Sequence, residues 1–316
     1  MAILAGTATT FAGAPGLMGL REDLSNEIYM ISPETTPFMS NVGRGTADAV
    51  LHEWQVDALA PPNLANAQFQ GDDISSFTPA SVTTRLGNRT QISRKEVIIS
   101  GTVEAVNKAG RKSEVARQMY KRGRELKIDI ESIILSNQAA AVGAVATAPK
   151  AASVLAFIKT NVSHVGTNPV GDGSNARTDG TPRAFTEAML KTTMASVYTN
   201  SGEDLDVLMV PPAQKAVVSG FTGGAQKQVD VTTAKVVSTV DIYVGDFFTV
   251  NVVPNRWMRS RDALLLNYDY WSVDWLRPIK QQELAKTGDA DKRLLLGEWT
   301  LVAKNEAANG LIADLS

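Results

Sequence analysis

At 316 residues and 44% hydrophobic content, the chain is long enough for one large domain or two modest ones and has ample apolar material for a core. The absence of cysteine excludes disulfides, iron–sulfur clusters and cysteine-based zinc sites, and leaves the redox compartment unread. A net charge of −2 gives no overall pull toward nucleic acid, yet twelve Lys or Arg face four Glu between Arg85 and Lys127; that run reads as a solvated helix face, a complement to an acidic neighbour or a phosphate-attracting surface.

The opening MAILAGTATTFAGAPG is apolar and small, but no basic residue precedes it and the first cation is Arg21, so it reads as an arm ordered by neighbours in preference to a secretion signal. No apolar run approaches the ~20 residues that span a bilayer. Leu17, Leu20, Leu24 and Ile28 recur at helical spacing up to Pro33, and Thr35-Thr36-Pro37-Phe38 opens a second short turn. Residues 47–57 and 82–92 alternate and answer one another as strands. The link between them, with Pro61, Pro62, Gly71 and Pro79 and few apolar anchors, predicts a two-stranded ribbon reaching about 33 Å from the body. Such a ribbon is marginal alone and should lie on another subunit.

Residues 113–137 predict one long amphipathic helix with Val115, Met119, Leu126, Ile130, Ile133 and Ile134 on its stripe and Gly123 marking a bend or close packing. A short helical segment is expected near Val154, and GTNPVGDGSNARTDGTP, residues 166–182, reads as a mobile loop. A second module begins near Arg183, with helices at 185–197 and 213–219 around a buried strand, 207–210. Residues 235–244 and 247–253 read as a hairpin around a two-residue Gly245-Asp246 turn. Strands are expected at 264–266, at 271–276 and, after the Thr287-Gly288-Asp289 turn, at 294–302.

Catalytic chemistry finds little support. His52 and His164 are the only histidines, with no G-x-S-x-G elbow, so a triad is disfavoured and His52 reads as a half-buried strand residue. Gly166 and Gly171 have phosphate-loop spacing, but Asp172 stands where lysine is needed, and Ala176 replaces the third glycine of a dinucleotide fingerprint. Asp289 and Asp291 start like a calcium loop, but Leu294 and Thr300 fill its glycine and glutamate positions; Asp289 is expected to cap the turn instead. Without a secretory signal, the sequons at Asn88 and Asn161 carry no meaning.

Three stretches point to a family: LAKTGDADKRLLLGEWTLVAKNEAANGLI (284–312), SPETTPFMSNVG (32–43) and HEWQVDAL (52–59). With these the chain closely resembles the major head (major capsid) proteins of tailed bacteriophages. The resemblance implies an α+β fold of the Hong Kong 97 type with an N-terminal arm (1–46), an extended β-ribbon loop (47–92) and a peripheral domain with its long spine helix (93–182). An inserted axial domain (183–245) follows, and the return strands of the discontinuous peripheral domain (246–316) close the chain. It implies a structural protein, not an enzyme, without catalytic residues, cofactor or metal. Copies would self-assemble as hexamers and pentamers into an icosahedral head around non-specifically held double-stranded DNA, with separate scaffolding, portal and decoration proteins and no membrane. The virion is the expected location, and the host cytoplasm the place of assembly. No lysine lies between Ala58 and Thr84, so isopeptide cross-linking from the loop is not expected. The capsid-like pattern starts within the first thirty residues, so scaffolding should come from another protein. Asp72 and Asp73 on the loop are candidates to meet Arg111, Lys112 or Arg117 on a neighbour's spine helix, setting register at ~0–1 kcal/mol per exposed pair. The alternatives are an encapsulating nanocompartment shell of the same fold and a soluble α+β hydrolase using carboxylates such as Asp204 or Asp206.

Overall fold

Alternation along a few short apolar strands organises the molecule. In the strand at Val207–Val210, Val207 and Met209 join one buried cluster while Leu208 and Val210 join another. At Ala263–Leu266, Leu264 and Leu266 go one way and Ala263 and Leu265 the other. Successive strand residues point to opposite faces, so a strand apolar at every position must be covered on both sides.

A computed structural model of the chain describes residues 32, 35–71, 73, 77, 79–221 and 241–316. In chain order, α1 (Pro37–Asn41), β1 (Gly43–Thr46), β2 (Leu51–Val56), β3 (Thr84–Arg89), β4 (Gln91–Ser100), α2 (Gly101–Ala105), α3 (Glu114–Ile134) and α4 (Val154–Phe157) come first. Then follow β5 (Val162–Ser163), α5 (Glu187–Asn200), β6 (Val207–Val210), α6 (Pro212–Ser219), β7 (Ile242–Val244), β8 (Thr249–Pro254), β9 (Ala263–Leu266), β10 (Trp271–Glu283), β11 (Ala290–Ala303) and β12 (Gly310–Ile312). A six-stranded mixed sheet has the order β5-β12-β9-β6-β8-β7, and a four-stranded sheet the order β1-β10-β11-β4. Strands β2 and β3 form a separate ladder.

One core fills the space between the six-stranded sheet, the four-stranded sheet and helices α1, α3 and α4, where Trp271, Trp299, Phe38 and Phe157 are fully buried. The other lies under α5 and α6, with Leu190, Met194 and Val197 facing Tyr243 and Val250. The 113–137 expectation becomes α3, capped by the Ser113 side chain, which accepts the Ala116 N–H at 3.2 Å. Met119, Leu126, Ile130 and Ile134 are its buried stripe. Gly123 is not a close-packing site: a Cβ there would meet only Leu295, at 4.0 Å.

Helix α1 has no side-chain cap of its own. Its Phe38 and Met39 N–H groups donate instead to the Glu131 carboxylate of α3, each at 2.8 Å, and Asn255 Nδ2 supplies a third bond of 2.8 Å. Burial pushes the Glu131 carboxyl above its ordinary value, with the three donors opposing that rise.

Residues 166–182, expected as a mobile loop, are instead tied to the interior by the fully buried Asp314. Its carboxylate accepts the N–H groups of Val165 (2.9 Å), Gly166 (3.1 Å) and Gly180 (2.7 Å), together with Arg177 Nη2 and Arg261 Nη2, each at 3.2 Å. The Arg177 side chain is fully buried beside it. Gly166 and Gly180 are required here: a Cβ on Gly166 would sit 1.9 Å from the Thr178 carbonyl oxygen. Burial alone would raise the Asp314 carboxyl, but the backbone donors and Arg177 outweigh it and hold it well below the usual carboxylate range.

Two further expectations change in detail, the two-residue turn and the role of Asp289. The Gly245-Asp246 turn is a four-residue one, closed by Gly245 N–H donating to Phe248 O at 2.9 Å, and 235–240 lie outside the described residues. The helix expected over 17–28 also lies outside them. The 245/246 division falls inside that turn, and β8, β9 and β12 share a sheet with β6 and β7. Asp289 does not cap its turn through its side chain; its backbone oxygen accepts the Gly101 N–H at 3.2 Å, while Asp291 pairs with Lys286 at 2.5 Å.

Two outcomes test these packing statements. Gly123→Ala should raise unfolding stability by up to about 1 kcal/mol in a denaturant titration, because α3 gains propensity without a clash. Asp314→Asn should destabilise, and the gap to wild type follows the depressed carboxyl: full above pH ~4, the unfolded aspartate value, and shrinking as pH falls below it. A gap independent of pH between 5 and 2 would contradict this assignment.

Candidate functional site

The segment between β2 and β3 combines a rigid root with a bare extension. At the root, Trp54 Nε1 donates to Ala303 O at 2.8 Å and its ring lies 6.0 Å from that of Phe157. Asn88 is fully buried: its Oδ1 accepts Ala152 N–H at 2.8 Å, and its Nδ2 donates to Leu301 O at 2.8 Å and Ala152 O at 3.2 Å. Thr90 Oγ1 donates to Glu298 at 2.7 Å, and Glu298 holds Arg277 at 2.7 Å. His52, on the same ladder, lies 3.3 Å from Asp274 and is half-buried, as expected.

The ladder runs from Leu51↔Arg89 to Val56↔Thr84, six residues per strand and so about 20 Å, shorter than the ribbon expected from the sequence. Thr83 Oγ1 donates to Gln55 Oε1 at 2.9 Å near its end. Every described residue from 57 to 85 is exposed and none from 57 to 83 is in a strand. Nor is the segment poor in apolar groups: Leu59 is 99% exposed, Leu64 100%, Phe69 87% and Phe77 85%. Large side chains left in water over such a length mark an interaction surface.

The charged candidates are arranged differently from the sequence expectation. Asp72 lies outside the described residues and Asp73 is exposed. Arg117 is paired with Glu114 of its own helix at 3.2 Å, Arg111 contacts the same carboxylate, and Lys112 is exposed. Burial would raise the Glu114 carboxyl, but the bonds from Gln118, Arg111 and Arg117 bring it below its ordinary value. Among the described residues no ion pair joins Asp73 to α3. Magnitudes favour the apolar groups as the source of any docking energy: burying a Leu or Phe side chain is worth ~1.5–3 kcal/mol, an exposed ion pair ~0–1.

Sequence reasoning passed over Asn88 as a meaningless sequon and missed Glu131 and Asp314, since buried polar hubs have no periodic signature. Asp206 accepts the Tyr268 N–H at 3.2 Å and Asp204 offers its carbonyl to Asn267, structural roles that lend a hydrolase no support.

The geometry agrees with comparison to known proteins. The family model described as SU10 major capsid protein matches residues 3–316. The major capsid protein of Escherichia phage Phieco32 is 28% identical over 338 residues, covering 93% of this chain and 94% of that protein. A solved structure from Gordonia phage Cozz matches with a TM-score of 0.62 at 14% identity, over 99% of this chain and 96% of the other. The capsid of a native GTA particle matches with a TM-score of 0.64 at 10% identity, over 98% and 99%. These likenesses show the Hong Kong 97-type α+β fold and do not favour the nanocompartment or hydrolase readings.

Replacing Asn88 with Ala should cost about 2–3 kcal/mol, because it strands buried backbone groups of Ala152 and Leu301; a fall in melting temperature of the full-length protein measures it. The chain belongs to the SU10 major capsid protein family, and it is a structural subunit of a phage capsid, not an enzyme.

Proposed function

We propose that this subunit builds an icosahedral head around double-stranded DNA, assembling in the host cytoplasm as hexamers and pentamers with separate scaffolding, portal and decoration proteins. In this reading, 1–46 is an arm and 47–92 an extended loop laid on an adjacent copy. Residues 183–245 form an axial part, and 93–182 with 246–316 a peripheral part. The observation that carries it is the 57–83 segment: a rigid, hydrogen-bonded root supports Leu59, Leu64, Phe69 and Phe77, all in water. Among the described residues of a single chain these groups have nothing to bury against, while a second copy would supply it. Obligate interfaces typically bury about 2,000–5,000 Å², and several contacts per subunit add avidity. Asp73, exposed on the segment, and the exposed Lys112 remain the pair best placed to set register between copies.

The test removes residues 61–77 and joins the strands through a short turn. Electron microscopy should show particles for the wild type and none, or markedly fewer and heat-labile ones, for the deletion, while circular dichroism shows both folded. Full particle yield from the deletion, or a compact monomer from the wild type at every concentration in light scattering, would refute the reading.

A further inference from the structure

We propose that the outward stripe of α3 is a surface on which the phosphate backbone of double-stranded nucleic acid rests, an inference built on the capsid reading above. Between Lys108 and Lys127 there are eight Lys or Arg and two Glu, in a chain whose net charge is −2. Positive charge is therefore concentrated in one short stretch. Arg117, Lys121, Arg124 and Lys127 follow at spacings of four, three and three, which places them along one side of about 15 Å of helix. Met119, Leu126 and Ile130 hold the opposite side in the core.

The acids of α3 offset only part of this charge: Arg117 is paired with Glu114, while Lys121 and Lys127 are exposed. Glu131 is buried on the N–H groups of α1, and Asp129 reaches Lys95 of β4 at 2.6 Å. Glu125 is held by Arg122 at 2.6 Å, with Lys121 only at 3.8 Å, and Glu114 is shared by Arg111 and Arg117. Tyr120 is exposed, and the Arg124 guanidinium lies 4.1 Å over its ring, a cation–π contact that holds the planar cation in place. Lys108 is not part of the surface, because its Nζ donates to the carbonyls of Val103, Glu104 and Val106 and closes α2.

The scarcity of apolar groups on the stripe selects a polyanion over an acidic protein. Lys95 faces α3, so Arg94, Glu96 and Ile98 point to the other face of the four-stranded sheet. That face carries the pairs Arg94–Glu96 at 3.0 Å and Arg277–Glu298 at 2.7 Å together with Lys280 and Lys292, and apolar Ile92 and Ile98 are exposed among them. Protein interfaces centre on apolar and aromatic groups. Along the stripe of α3 the exposed large apolar group is Tyr120, whereas the 57–83 segment and the far sheet face each expose several.

The experiment measures binding of the full-length protein to a random-sequence duplex by fluorescence anisotropy across salt concentrations. The wild type should bind weakly at low salt, and Lys121→Gln with Lys127→Gln should make the slope of log affinity against log salt shallower by about 2, at ~0.9 per lost phosphate contact. Lys280→Gln, exposed on the other face of the sheet, should leave the slope unchanged. No binding by the wild type, equal loss in the Lys280 variant, or an unchanged slope in the double variant would overturn the proposal. Loss of particles in the double variant with duplex affinity intact would overturn it in favour of an acidic protein partner. Electron microscopy of the same proteins separates the two readings, since wild-type particles without duplex binding sink this inference and leave the capsid reading standing.

Discussion

The structure depends on one sheet having to be covered twice. Because β6 and β9 are apolar at every position, the chain must supply a layer for each face, and it does so from distant stretches: α5 and α6 on one side, α1, α3, α4 and the four-stranded sheet on the other. Burial of so many Leu, Ile and Val side chains at ~1.5–3 kcal/mol each supplies the stability that cysteine cannot. It also explains why β12 lies between β5 and β9.

Polar hubs then fix what apolar packing leaves adjustable. Hydrophobic contact is non-directional, whereas Glu131, Asn88 and Asp314 each accept or donate several bonds in fixed directions. Glu131 sets where α1 meets the long helix. Asn88 fixes the root of the projecting segment against Ala152 and Leu301, and Asp314 draws 165–180 down onto β12. All three join residues more than sixty positions apart. A subunit that presents surfaces to several neighbours gains from such pinning, since a loosely held element would have to be ordered at the cost of binding energy.

Periodicity made the layers legible in the sequence. The apolar stripe at 115–134, the run at 207–210 and the strand at 264–266 stand in the structure with nearly the expected bounds, while the strands expected at 271–276 and 294–302 run longer, as Trp271–Glu283 and Ala290–Ala303. What periodicity could not show is pairing across the chain. Gly166 and Gly180 look like turn residues, because nothing local reveals that their backbones touch; Asp314 looks like a polar residue near a terminus. The projecting segment was recognisable from its prolines, but attention to Asp72 and Asp73 hid the larger signal in Leu59, Leu64, Phe69 and Phe77. The basic run was visible from composition, and only the placement of Glu114, Glu125, Asp129 and Glu131 shows which part of it remains outward.

The ladder between β10 and β11 slips register twice, between Trp275 and Arg277 and again between Arg277 and Lys280. Before the slips the strand is buried, and beyond them it is largely exposed. Bulges interrupt ladder bonds and bend the strand that carries them. Flexing at this hinge breaks fewer bonds than flexing elsewhere along the hairpin. Chemically identical subunits sharing one capsid shell meet slightly different surroundings, and the strand is weakest where a difference in curvature would be absorbed.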